Sequence, residues 1–154
     1  MRSEPVKRIS DVLDLRGRQF REDGGPLAHP VRPESFQEIN NFYTATVYEK
    51  GAEVIGMLKR LVGDDDYAKA LDLYFDRHDG QACTIEDWLK VFEDATGRDL
   101  SQFKLWYSQA GTPKVTMTDD WADGPYTVHL NQTPRPTPAA EHKKQTVKHT
   151  AQGA

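Results

Sequence analysis

The feature that most narrows the possible folds is a stripe within residues 40–63, NNFYTATVYEKGAEVIGMLKRLVG. Val47, Gly51, Val54, Ile55, Leu58, Leu61 and Val62 recur at helical spacing. One face of a helix from Val47 is therefore apolar, while Glu49, Lys50, Glu53, Lys59 and Arg60 lie mostly off it. Gly63 then supplies the left-handed residue that ends the helix. Two details exceed what packing requires. Gly51 lies on the stripe, where it costs helix propensity and permits close backbone approach. Tyr48 stands in the first turn at the edge of the stripe, near a helix N-terminus, with a hydroxyl able to reach a neighbour.

The same period organises the flanking residues. Val6, Ile9, Leu13 and Phe20 predict a surface helix over residues 5–20 that frays near Gly17. Residues 21–35, REDGGPLAHPVRPES, hold three prolines and two glycines and read as a loop long enough to carry function. Asp64, Asp65 and Asp66 offer an N-cap and negative charge at the positive end of the next helix dipole. That helix presents Tyr67, Leu71, Tyr74, Phe75 and His78 on one face and stops at Gly80. Thr84 with Asp87 three residues on resembles a capping box, opening a helix that turns Trp88, Leu89, Phe92 and Ala95 inward and closes at Gly97. A short helix from Ser101, the fourth counting from the central one, carries Phe103, Trp106 and Tyr107. Four helices on short connections make a compact helical unit.

At Gly111-Thr112-Pro113 the period switches to alternation. KVTMT (residues 114–118) and YTVHL (residues 126–130), separated by an Asp-, Gly- and Pro-rich stretch, predict a hairpin, which needs a larger sheet to be stable. Residues 134–154 show no periodicity and few large apolar groups, the composition of a disordered tail.

Much chemistry is excluded. Net charge is −4, so the basic footprint of a nucleic-acid binder is absent. The single cysteine, Cys83, excludes an intrachain disulfide and a cysteine-based zinc cluster and fits a reducing, cytoplasmic compartment. No apolar run approaches the roughly 18 residues of a membrane span, and the first ten residues have no apolar targeting core. None of His29, His78, His129, His142 and His149 has the H-E-x-x-H partner spacing that presents two imidazoles to zinc, and His78, His142 and His149 read as surface histidines. The Asp64–Asp66 run lacks the ligand spacing of a calcium loop. His29 and Arg32 are readable either as substrate contacts or as parts of a loop held by proline and salt bridges. Glu49 and Lys50 are adjacent on a helix and point apart, which suits a structural role better than acid–base work.

The string Asn41-Phe42-Tyr43-Thr44-Ala45-Thr46-Val47-Tyr48-Glu49-Lys50-Gly51-Ala52-Glu53-Val54-Ile55 is preceded by His29-Pro30-Val31-Arg32-Pro33 and followed by Tyr74-Phe75-Asp76-Arg77-His78-Asp79-Gly80. With these three words in this order, the sequence from about Val6 to about Pro138 resembles the bacterial aminopeptidase N family, alanyl aminopeptidases among the gluzincin zinc metallopeptidases. The resemblance implies a mainly α chain: the helical lobe of a thermolysin-like peptidase catalytic domain over residues 1–111, then over 112–133 a hairpin that starts a β-sandwich, then the tail over 134–154. It further implies a zinc-binding segment upstream of this sequence, so the chain is expected to bind no zinc itself and to be inactive without the remainder of the catalytic domain.

On the residues alone Tyr48 reads as an amphipathic helix-edge tyrosine with a hydrogen-bonded hydroxyl. The resemblance reverses that reading: the tyrosine of the matching Y-E-K-G word donates to the scissile carbonyl of a peptide substrate and stabilises the oxyanion, which makes Tyr48 the catalytic candidate. Tyr43 matches an aromatic residue lining the pocket for the substrate's N-terminal side chain; a core aromatic in the turn before the helix is the alternative. A competing class is a non-catalytic helical interaction module. An exposed apolar patch around the Tyr48 and Val54 face would mark an unpartnered lobe, and burial of that face would mark the module.

Overall fold

The computed structural model describes residues 3–34, 38–121, 124–134 and 147–152. The chain is mainly helical with antiparallel strands near its end, and it divides into two compact units, residues 31–108 and residues 1–30 together with 109–154.

In the unit that holds both chain ends, α1 (Glu4–Asp14) starts with Pro5 in its first turn, where a missing N–H costs nothing. It does not fray at Gly17. The helix widens into a π-helical turn, Leu15–Gln19, and continues as α2 (Phe20–Asp23). A π turn adds one residue to the turn and keeps the backbone ladder closed, and a glycine inside a helix costs only about 1 kcal/mol, so Gly17 does not end it. The turn buries Gln19 and brings Asp23 inward, where its Oδ2 accepts a hydrogen bond from Thr112 Oγ1 at 2.9 Å. Val6, Ile9 and Leu13 are exposed, in line with a surface helix.

The sheet of this unit runs β1 (Lys114–Asp120), β2 (Thr127–Thr133) and β3 (Val147–Gln152) in that order, antiparallel throughout. Met117 lies opposite Leu130 and Asp119 opposite Val128, and the Tyr126 hydroxyl donates to Asp119 Oδ2 at 2.8 Å beside the turn. Every residue of β1 is exposed. The predicted hairpin is present, each strand longer than the alternation alone marked. Within the stretch read as a tail, residues 147–152 pair with the second edge of β2, Leu130 opposite His149. Backbone pairing needs no apolar signature, so a polar stretch can satisfy an open edge that composition does not reveal. The rest of the expected tail, residues 135–146, 153 and 154, lies outside the described residues, as does His142.

The other unit contains the buried apolar core of the described residues. After a 3₁₀ turn, Ile39–Phe42, the chain enters a π-helical turn, Thr46–Lys50, and then α3 (Gly51–Val62). Gly63, at φ 90° and ψ 162°, both ends α3 through its N–H to the Lys59 carbonyl and starts α4 (Asp64–His78) by accepting from Tyr67 N–H. Because this backbone conformation turns the chain within one residue, the three aspartates are not the cap; they fill the first turn of α4, where they still face the positive end of the dipole. Ala70 is the buried centre of the α4 face, with Tyr67 and Tyr74 beside it, whereas Phe75 is exposed.

The capping box holds as read: Asp87 N–H donates to Thr84 Oγ1 at 3.2 Å, and Thr84 N–H donates to Asp87 Oδ2 at 2.9 Å. It opens α5 (Ile85–Thr96), which ends at Gly97 in the left-handed conformation and buries Leu89, Val91 and Phe92. The short α6 (Leu105–Ser108) closes the unit, burying Tyr107. Val54, Leu58 and Val62 of α3 meet Phe92, Leu100, Phe103 and Tyr107 in one cluster, joined by Val31 from the Pro-rich loop. Arg77 and Lys90 both pair with Asp94; hydrogen bonds from Lys90 and then Arg77 hold that carboxyl below its usual range. Among the described residues no helix is long and apolar enough to cross a membrane.

Candidate active-site tyrosines

The site begins with the turn that precedes α3. Thr44 opens it: its Oγ1 accepts from Val47 N–H at 3.2 Å and its carbonyl from Tyr48 N–H at 3.1 Å. The Gly51 N–H closes the turn on the Thr46 carbonyl, five residues back. That extra residue rephases the helix. In α3 the buried positions Gly51, Val54, Leu58 and Val62 keep α spacing; upstream, Thr46 and Lys50 are the buried ones, and Val47, read as part of the stripe, is only half-buried. Tyr48 is turned outward by the same shift and is 59% exposed.

Tyr43 is 58% exposed, so the structure does not place it in the core. Its ring stacks on that of Tyr48, with centroids 6.3 Å apart and planes 23° from parallel, while Phe42 meets Tyr43 edge-on at 5.8 Å. The two residues singled out in the sequence are thus brought together as a pair of near-parallel phenols facing solvent at the head of a helix. Such a pair offers neutral hydroxyl donors beside an apolar ring face, which suits a ligand with a carbonyl oxygen next to an apolar group. The face expected to mark an unpartnered lobe is divided: Val54 is 3% exposed in the core, whereas Tyr48 and Ile55 are exposed.

Other candidates have structural partners. His29 Nδ1 lies 2.9 Å from the Leu27 carbonyl. Arg32 donates through Nη1 to Glu86 Oε1 at 2.6 Å, and Lys104 Nζ lies 2.9 Å from the same oxygen. Hydrogen bonds from Lys104 and then Arg32 push the Glu86 carboxyl down to about 2. Lys50 is buried. An added Cβ on Gly51 would meet Val31 Cγ1 at 3.5 Å, an ordinary contact, so the close approach expected there is by a side chain and not by backbone. Among the described residues no three His, Cys, Asp or Glu side chains converge, so the described donors do not make a zinc site.

The π turn could not be anticipated from the helical stripe. Its only trace is that Thr46 and Lys50, polar and one turn apart, take the place an α-helical stripe would give to apolar residues.

The fold is one seen in a peptidase: the chain superposes on Legionella pneumophila aminopeptidase A in complex with aspartic acid with a TM-score of 0.61 at 20% identity, over 92% of this chain and 19% of that one. Residues 4–107 match the Peptidase family M1 domain, and the chain belongs to that family. It is 61% identical over 117 residues to Aminopeptidase N of Caulobacter vibrioides, covering 76% of this chain and 14% of the relative. It is 49% identical over 144 residues to Aminopeptidase N of Escherichia coli, covering 92% of this chain and 17% of the relative. The chain therefore spans less than a fifth of the length of these relatives.

Proposed function

We propose that this chain is the transition-state-stabilising portion of a zinc-dependent aminopeptidase that removes N-terminal residues from peptides. The observation that carries the reading is the stacked, outward-facing pair Tyr43 and Tyr48 at the π turn. In this role the Tyr48 hydroxyl donates a hydrogen bond to the scissile carbonyl oxygen as it gains charge, work that suits a neutral donor needing no reorganisation. Tyr43 offers its ring to the substrate's N-terminal side chain and, by stacking, limits where the Tyr48 ring can lie.

Zinc is the cofactor of the whole enzyme under this reading, supplied with its ligands by sequence outside these residues, since no H-E-x-x-H motif occurs here. Residues 1–111 would then be the helical part of a catalytic domain and residues 112–133 the first strands of a β-sandwich, working in the cytoplasm.

The test is complementation. The purified chain is assayed with alanine 4-nitroanilide and zinc, alone and mixed with a separately expressed piece of an M1 enzyme carrying H-E-x-x-H. Activity on mixing only, reduced about 10²–10³-fold in kcat by Tyr48→Phe, is the expected result. Hydrolysis by the chain alone, or full activity of the Tyr48→Phe mixture, would overturn it.

A further inference from the structure

On sequence grounds Arg32 is open between a substrate contact and a loop fastener. The contacts it makes give it another role, and we propose that Arg32 is a positioning residue for Tyr48, acting through Val31 and the π turn. The catalytic half of this proposal rests on the reading of Tyr48 given above; the positional half does not.

Three contacts carry it. Arg32 is fixed at both ends, its backbone N–H donating to the Tyr107 carbonyl at 2.9 Å and its guanidinium to Glu86 Oε1 at 2.6 Å. Lys104, on the same carboxylate oxygen at 2.9 Å, holds that anchor in place. Its neighbour Val31 is buried in the core cluster, with Cγ1 3.5 Å from where a Gly51 side chain would begin. Gly51 is the residue whose N–H closes the π turn on Thr46. Pro33 restricts the backbone of Arg32, the residue before it, and Val31 is its direct chain neighbour, so a clamp on Arg32 also limits Val31. The valine thus packs beside the joint between the π turn and α3, the place that decides which way Tyr48 points.

The Arg32–Glu86 pair itself is about half-exposed and contributes little to global stability. That makes the positional role separable from a merely structural one. Arg77, which pairs with Asp94 at 2.7 Å with similar exposure but joins α4 to α5, is the matched control.

In the full chain carrying selectively labelled tyrosine, Arg32→Ala is expected to shift the Tyr48 ring resonances and to speed amide exchange of residues 47–51 by about tenfold, as expected when a local clamp is released. Arg77→Ala should leave both unchanged, and Arg32→Lys should recover part of the effect. In the complemented enzyme, Arg32→Ala should lower kcat by about tenfold or more with KM unchanged, and should have no further effect in a Tyr48→Phe background. Equal responses of Tyr48 to Arg32→Ala and Arg77→Ala would overturn the positioning role. If Arg32→Ala moves Tyr48 but Tyr48→Phe leaves kcat intact, positioning stands and the catalytic reading of Tyr48 falls.

Discussion

Tyr48 is held by its backbone: its N–H is bound by the Thr44 carbonyl and its ring rests on Tyr43, so removing the hydroxyl disturbs nothing that supports the fold. Glu86 is the opposite kind of residue, with its charge engaged by Lys104 and Arg32. Its carboxyl falls from an ordinary 4.5 to about 2 in the folded chain. As pH drops, the unfolded chain takes up this proton first. The contribution is therefore fully present above about 4.5 and is lost as pH falls toward about 2. Because the pair is half-exposed the effect is modest and weakened by salt. Urea melts between those pH values are expected to show Glu86→Gln with a flatter acid limb than the parent chain. Both tyrosines could be picked out from the sequence as residues. Their stacking could not, because it depends on a 3₁₀ turn and a π turn flanking Thr44, and neither has a periodicity of its own.

The helices α3, α4 and α5 were legible because each carries an apolar stripe ended by Gly63, Gly80 or Gly97, all with positive φ. Caps were legible where a side chain makes them. Thr84 and Asp87 form the reciprocal pair, and Thr84→Ala is expected to cost about 1 kcal/mol, measurable as a lower urea midpoint with an unchanged slope. They were misread where backbone makes them, as at Gly63, whose single-residue turn leaves Asp64 inside the helix. Strand β3 carries no sequence pattern for a related reason: its partner is a sheet edge, and a polar run can pair with an edge without alternation. The continuation of the first helix past Gly17 belongs with these, since a widened turn looks from the sequence like a fraying one.

The two compact units differ in what fills them. All the buried apolar residues among those described lie between Val31 and Tyr107, whereas the other unit buries Gln19 and Asp23 and leaves β1 exposed along its length. Apolar burial is the main stabilising contribution, so the two units should open at different free energies. Hydrogen exchange read by mass spectrometry is expected to show α3 and α5 amides as the slowest in the chain and those of β1 and β2 as markedly faster; uniform protection of all four would contradict this.

The turn before α3 has one more implication. A π turn is an α turn with one residue too many, so the direction of the Tyr48 ring is written in a count as well as in the side chains packed against the turn. Point substitutions along Thr46–Lys50 keep the count. The loss of a single codon would preserve the reading frame, the apolar stripe of α3 and almost all the composition, while turning the phenol to another face. In-frame deletion within this turn is thus a change of length alone that redirects the Tyr48 ring and leaves a folded helix behind.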